Sequence, residues 1–314
     1  MRVAVLDDIH NAWDETDGVR TLRERAEIVI FTMPFGAAER LRGFDVLIAN
    51  RERTKFTRAL LAELRDVRLI VQTGNHAAHI DWAAARELGI TIAQASGGYS
   101  IGAAELSIAL ALAAMRQIPA NDAALRRGEW HVPLTPVLHG KTFGAVGLGR
   151  VGAHAARIAQ GFGMRVIAWS PRLDATRAAA SGAERVELDA LLRAADVVSI
   201  HVSLKPETRA LIDSRRLALM KPTAYLINTA RGPIVDEAAL VAALAERRIA
   251  GAGLDVFDRE PLPAGHPLTK LPNAVLTAHI GWPTDDGYRK FAASACEVLL
   301  AYLDGREFPR FPEH

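Results

Sequence analysis

Short apolar runs recur along the chain, each followed by a stretch in which apolar positions return with helical spacing. Runs at 3–6, 28–31, 46–49, 69–72 and 90–93 are rich in Val, Ile, Leu and Ala and carry no charged residue. Continuous runs of this kind predict strands buried on both faces, as in a parallel sheet covered by helices. Segments at 37–41, 58–64 and 81–87 predict intervening helices. The Gly97-Gly98-Tyr99 stretch interrupts this series, and a long helix over 103–118, stopped by Pro119, follows it. Residues 126–140, rich in Pro and His, read as a loop. A second series then begins at Thr142. Its strands are expected at 143–146, 165–168, 197–201, 224–228, 253–256 and 274–277. Its helices are expected at 151–161, 188–194, 214–218 and 237–246, the last with Asp236 as N-cap. A final helix, 286–303, closes the chain and is expected to return to the first series. Strands alternating with helices indicate the α/β class.

The strand leading out of Thr142 carries the most informative local motif. Phe143 to Val146 is apolar, the turn Gly147-Leu148-Gly149-Arg150-Val151-Gly152 follows at once, and a helical pattern opens after it. This is Gly-x-Gly-x-x-Gly between a strand and a helix, the setting in which the pattern signals a dinucleotide site. Gly147 permits the tight turn, Gly149 lets backbone approach a pyrophosphate, and Gly152 allows close helix–strand packing. Arg150 and Val151 lie where the helix N-terminus would hold the phosphates. The fold expected is therefore α/β with two Rossmann/flavodoxin-like parallel-sheet domains and a cleft between them. Residues 1–98 plus 286–314 would form a substrate-binding domain and 99–285 a dinucleotide-binding Rossmann domain.

A carboxylate normally stands about 20 residues beyond the glycines to bind the adenosine ribose. The next strand ends Ala168-Trp169-Ser170-Pro171-Arg172, with Ser170 in the acid's place. Nothing there repels a 2′-phosphate, and Arg172 could pair with one. This favours NADP over NAD and leaves both open.

Composition narrows the partners. At 314 residues the chain has room for about two domains. Its 38 basic and 36 acidic residues give a net charge of +2, no reason to expect nucleic acid or a charged membrane. The single cysteine, Cys296, excludes an internal disulfide, suits a reducing compartment, and sits in an apolar helical pattern as a small core residue. The first residues read as a strand rather than a signal peptide, and the longest apolar stretch, 106–115, is too short to cross a bilayer. A cytoplasmic protein is expected. His76 and His79 lack a carboxylate or cysteine to complete a metal site, so no metal is expected. His201 is expected to pack at a strand end.

Three residues past strand ends stand in distinctive contexts: Arg231 in Asn228-Thr229-Ala230-Arg231-Gly232-Pro233, Glu260 in Gly253-Leu254-Asp255-Val256-Phe257-Asp258-Arg259-Glu260-Pro261, and His279 in Thr277-Ala278-His279-Ile280-Gly281-Trp282. With Val71-Gln72-Thr73-Gly74, Ala104-Glu105-Leu106, the glycine turn and His201-Val202-Ser203-Leu204-Lys205-Pro206-Glu207-Thr208, they make the chain resemble the D-isomer-specific 2-hydroxyacid dehydrogenases, over nearly its whole length. That family includes glyoxylate/hydroxypyruvate reductases, D-lactate dehydrogenases and 3-phosphoglycerate dehydrogenases. The resemblance implies hydride transfer between NAD(P)H and a small 2-oxo acid or D-2-hydroxy acid. It implies that Arg231 holds the substrate carboxylate, that His279 is the acid/base, and that Glu260 orients and charges the imidazole. Asp255 would hold the nicotinamide carboxamide. Thr208, Thr229, Ala230 and Gly281 would complete the cofactor contacts begun by the glycines, Ser170 and Arg172. Arg53, Gly74, Asn75 and Trp282 would contact substrate. A homodimer through the nucleotide domain is implied, with 103–118 and 126–140 contributing.

The chain departs from the family pattern at Leu106, at Asn75-His76 and at the bulky Trp282, positions that bear on substrate choice. Two other readings fit the same fold: a non-catalytic, NAD(H)-sensing corepressor-like protein, or a dehydrogenase of formate or phosphite.

Overall fold

A computed structural model describes residues 1–74, 77–96 and 101–311. The Asn75-His76 pair and the Gly97-Gly98-Tyr99 break lie outside the described residues. The chain divides into two compact units, Met1–Tyr99 with Pro283–His314, and Ser100–Trp282.

In the first unit the apolar runs become five parallel strands: β1 (Arg2–Val5), β2 (Glu27–Ile30), β3 (Val46–Ala49), β4 (Leu69–Thr73) and β5 (Thr91–Ala95). Their order is β2-β1-β3-β4-β5. Every residue of β3 and β4 is buried, which is why they are apolar without alternation as far as Val71, and the buried Gln72 and Thr73 that end β4 are hydrogen-bonded to Arg51 O and Ala49 O. The helices start where the sequence supplies acceptors. Thr57, Asp81 and Thr284 accept from the N–H groups of Leu60, Ala84 and Gly287 and so cap the helices Arg58–Glu63, Trp82–Glu87 and Asp285–Leu303.

The second unit holds seven parallel strands: β6 (Thr142–Val146), β7 (Arg165–Trp169), β8 (Glu184–Arg185), β9 (Val197–Ile200), β10 (Tyr225–Asn228), β11 (Gly251–Leu254) and β12 (Ala274–Leu276). The order β12-β11-β10-β9-β6-β7-β8 is the doubly wound dinucleotide arrangement with one strand added. It reverses direction between β6 and β9, so the strand ends there open a crevice suited to a ligand. Alternate strand residues feed two cores. Val198 and Ile200 pack on one face with Leu188, Leu191 and Leu226, while Val197 and Phe143 pack on the other with Ala104, Ile108, Ala155 and Ala159 of the helices Ile101–Met115 and Arg150–Gly161. Among the described residues no single helix is long and apolar enough to cross a membrane.

The structure corrects several expected elements. The helix expected over 103–118 ends at Met115, and Pro119 opens a second helix, Ile118–Arg126, instead of ending the first. Gln117 takes a left-handed conformation (φ 52°) that breaks the chain between them, and proline is tolerated in a helix's first turn, where its missing N–H costs nothing. Strand β11 starts two residues earlier than expected. Its Gly251 and Gly253 hide it from a reading based on bulky residues, yet a Cβ at Gly253 would lie 2.8 Å from Leu110 Cβ, so the glycine lets the helix Ile101–Met115 lie directly on the sheet. As a result Asp255 stands just beyond the strand end rather than inside it. Ala38–Leu41 is a 3₁₀ turn, and the short helices Asp17–Arg23 and Ala175–Ala179 and the edge strand β8 had no clear sequence signal.

Candidate active site

The residues expected to bind cofactor fall into two groups, one on each side of the reversal in strand order. The first surrounds the glycine turn. Gly147 has φ +107°, and a Cβ on it would lie 2.6 Å from Val202 N. A Cβ on Gly152 would collide with the carbonyl oxygen of Gly147, so the helix Arg150–Gly161 closes tightly onto the turn. At Gly149 the situation is opposite: nothing lies within 4 Å of an added Cβ. Gly149 is also the N-cap of that helix and brings no side chain to cap it, which leaves first-turn N–H groups, including those of Val151 and Gly152, to an external acceptor. Backbone held rigid on one side and open on the other fits a pyrophosphate.

A cavity of about 840 Å³ adjoins the turn, lined in part by Gly147, Gly149, Ser170, Arg172 and Thr208. Ser170 Oγ accepts from Leu148 N at 2.7 Å, tying the end of β7 to the glycine turn. Thr208 is buried; its hydroxyl accepts from Lys205 N at 2.8 Å and donates to Ser203 O at 2.7 Å, so it holds the 203–208 turn along the cavity wall. Arg177 and Lys205 also line the cavity, two cations that sequence reasoning did not single out. His201 follows β9, its backbone N–H donating to Val146 O at 2.7 Å. Both of its ring nitrogens are buried with no hydrogen-bond partner among the described residues, and burial pushes the imidazole down to about 4, keeping it neutral.

The second group lies past the C-terminal ends of β10, β11 and β12. Buried Asn228, the last residue of β10, uses its amide as a brace: Oδ1 accepts from Ala230 N at 3.0 Å and Nδ2 donates to Arg231 O at 3.0 Å. Thr229 Oγ1 reaches Ala103 O at 3.5 Å. The guanidinium of Arg231 donates to Ala230 O at 2.7 Å. A Cβ on Gly232 would collide with the backbone of Phe257, so this turn packs directly on the segment that carries Glu260.

Glu260 and His279 meet. Glu260 Oε2 lies 2.7 Å from His279 Nδ1, and Oε1 accepts from Phe257 N at 3.0 Å. Burial raises the Glu260 carboxyl, but the hydrogen bonds from His279 and Phe257, with the charges of His279 and Arg231, outweigh it and hold the group below the ordinary carboxylate range. His279 itself is left-handed at φ 55°. Asp255, fully buried, lies behind this loop. Its Oδ1 accepts from Thr277 Oγ1 at 2.6 Å and Ile280 N at 2.8 Å, and its Oδ2 from Gly281 N at 2.9 Å. A carboxylate fixed on one imidazole nitrogen leaves the other for proton exchange with a substrate, with an arginine nearby for an anionic group.

Asn228 and Thr277 also escaped sequence reasoning. Each is a polar residue at the end of an apolar strand, in Leu226-Ile227-Asn228 and Val275-Leu276-Thr277, and that is the signal that could have found them. In the first unit, Arg53 Nη1 donates to Asp7 O at 2.6 Å, and Gly74 (φ +89°) donates to Ala95 O at 2.9 Å with the Arg51 guanidinium against its Cα. Asn75 lies outside the described residues. Trp282, partly buried, ends the second unit. Among the described residues no three His, Cys, Asp or Glu side chains are grouped to hold a metal.

A doubly wound sheet with an open glycine turn at its strand ends is a dinucleotide-binding framework, and comparison with known proteins makes the family specific. Residues 108–281 match the model of the D-isomer specific 2-hydroxyacid dehydrogenase NAD binding domain. The chain is 36% identical to the D-3-phosphoglycerate dehydrogenase of Methanocaldococcus jannaschii over 97% of its own length and 58% of that protein's. It is 43% identical to the glyoxylate reductase of Thermofilum pendens over 74% of this chain and 70% of that one. The structure of a phosphoglycerate oxidoreductase from Vibrio cholerae superposes with a TM-score of 0.87 at 30% identity, covering 97% of this chain and 99% of that one. The chain belongs to the D-isomer-specific 2-hydroxyacid dehydrogenase family.

Proposed function

We propose that this protein reduces a small 2-oxo acid to its D-2-hydroxy acid with NAD(P)H, and catalyses the reverse oxidation. The observation that carries the reading is the 2.7 Å contact between His279 Nδ1 and Glu260 Oε2 at the end of a dinucleotide-type sheet. Bound nicotinamide supplies the hydride. His279 gives a proton to the carbonyl oxygen from its other nitrogen, and Glu260 fixes the tautomer that makes this possible and stabilises the imidazolium. Arg231 grips the substrate carboxylate by charge-assisted bonds, on a turn that Asn228 keeps in shape. Gly147, Gly149, Arg150, Val151 and Gly152 hold the pyrophosphate, while Ser170, Arg172 and Thr208 face the adenosine half and Thr229, Ala230, Asp255 and Gly281 the nicotinamide half. Arg53, Gly74, Asn75 and Trp282 are assigned to substrate, with residues 1–98 and 286–314 as the substrate-binding domain.

Three cavity cations, Arg172, Arg177 and Lys205, and the absence of a carboxylate at Ser170 support NADP over NAD. The exposed apolar side chains Trp130, Val132, Leu134 and Val137 support a homodimer formed through this segment of the nucleotide-binding unit. The reading places the protein in the cytoplasm.

Loss of nicotinamide absorbance on adding glyoxylate, hydroxypyruvate, pyruvate or phenylpyruvate, each with NADH and with NADPH, tests the proposal. Turnover with any of them supports the reaction class and ranks the cofactors. No turnover with all four, while the cofactor binds, would replace it with the sensor reading or with a substrate such as formate or phosphite.

A further inference from the structure

The left-handed backbone at His279 is strained for a non-glycine residue and persists only where the surroundings impose it. Glu260 holds the ring of His279, and the backbone that follows it is held by a second carboxylate, Asp255. With His279 left-handed, the next two N–H groups, Ile280 and Gly281, both reach Asp255, at 2.8 and 2.9 Å, in the manner of a backbone nest around an anion. Asp255 is itself anchored, its own N–H donating to Asn228 O at 3.0 Å. A carboxylate turns easily about its last bond, because that torsion has broad minima. The Thr277 hydroxyl, 2.6 Å from Oδ1, is the side-chain donor that opposes this turning from outside the two N–H groups it must align. Thr277 is placed by the strand ladder, its N–H donating to Leu254 O at 2.9 Å.

We propose that Thr277 is a positioning residue for the reaction, acting through Asp255: it fixes the carboxylate plane, which fixes the Ile280 and Gly281 N–H groups, which set where His279 stands. The inference rests on the reading of His279 as the acid. Three of the roughly four acceptor positions of the carboxylate are occupied by the loop, and the residue is fully buried there. Asp255 therefore acts on the acid through the loop backbone, and Thr277 keeps the carboxylate in register with that loop.

Thr277→Val preserves shape and removes only the donor. Amide hydrogen exchange on the free protein reads the clamp without any substrate: Ile280 and Gly281 should exchange at least about tenfold faster in Thr277→Val than in the wild type. With glyoxylate or hydroxypyruvate and NADPH or NADH, kcat should fall roughly 10- to 100-fold, as expected for a misplaced acid, with cofactor affinity changed by less than about threefold. Thr277→Ser, which keeps the hydroxyl, should restore both readouts. Unchanged exchange at Ile280 and Gly281, or a serine variant as impaired as the valine one, would overturn the proposal. If Thr277→Val does not fold, Thr277→Ala against Thr277→Ser makes the same comparison. A normal kcat for Thr277→Val beside an inactive His279→Ala would reject the clamp alone, whereas an active His279→Ala would reject the reading on which it rests.

Discussion

The glycine turn and the histidine loop both fix a bend at the end of a parallel strand, and they do so by opposite means. From Gly147 to Gly152 the bend is set by missing side chains: two Cβ atoms that would collide and a third position that opens to the cavity. From Thr277 to Gly281 it is set by side chains brought from elsewhere, Glu260 at 19 residues' separation and Asp255 at 22 to 26. On the function proposed, the first loop needs only backbone N–H groups, because a phosphate is bound by donors and not by proton exchange. The second needs a titratable ring held at a defined distance, and a left-handed histidine cannot hold that place unaided. Binding geometry can be local in sequence, whereas the acid–base geometry proposed here is assembled across strand ends.

Substitutions at the two loops should therefore fail differently. Gly152→Ala puts a methyl group into the Gly147 carbonyl oxygen, a backbone atom that cannot step aside. At the upper end of overpacking costs, about 3 kcal/mol, the unit should melt roughly 6–12 °C lower and bind nicotinamide cofactor poorly; calorimetry and fluorescence titration measure both. An unshifted melting curve would mean the turn is more pliable than its contacts imply.

Beneath the glycine turn, acid should act through His201. Its folded value of about 4 lies below the unfolded 6.5, so the stability this group contributes is complete above 6.5 and is lost as the pH falls towards 4. The difference of about 2.5 units corresponds to roughly 3 kcal/mol. Denaturant unfolding at pH 7 and pH 4.5 in the wild type and in His201→Asn should show the acid-dependent loss shrink in the variant; equal losses would place the titration elsewhere.

Glu260→Gln sharpens the contrast on the other side. Both Glu260 oxygens are in use, one facing His279 and one accepting from Phe257 N, and an amide can accept at only one end. Turnover should drop about 10- to 100-fold with cofactor affinity intact, the cost of a mis-set general acid. Cofactor affinity that fell along with turnover would mean the two loops are not independent.

The same distinction explains what could be read from sequence. β3 and most of β4 were legible because strands buried on both faces carry long apolar runs, and the glycine turn because its determinants are adjacent. β11 was misplaced because glycines that admit the helix Ile101–Met115 carry no strand signal. The helix Ile118–Arg126 was hidden because proline reads as a stop although it also opens helices. Glu260 and His279 could be paired in advance only through family resemblance, since nothing in periodicity joins positions 19 apart on separate strand ends. The partner of Thr277 was hidden for the same reason, since Asp255 becomes its neighbour only when β11 and β12 align, whereas Asn228 braces Arg231 from three residues away and only its polar place at an apolar strand end pointed to it.

The most direct test compares His279→Ala with the wild type, measuring turnover of a 2-oxo acid and cofactor affinity on the same samples. The account predicts a kcat lower by roughly 100- to 10,000-fold, the usual contribution of a general acid, with cofactor affinity unchanged because the glycine turn is untouched. Near-normal turnover would contradict it and remove His279 from the chemistry.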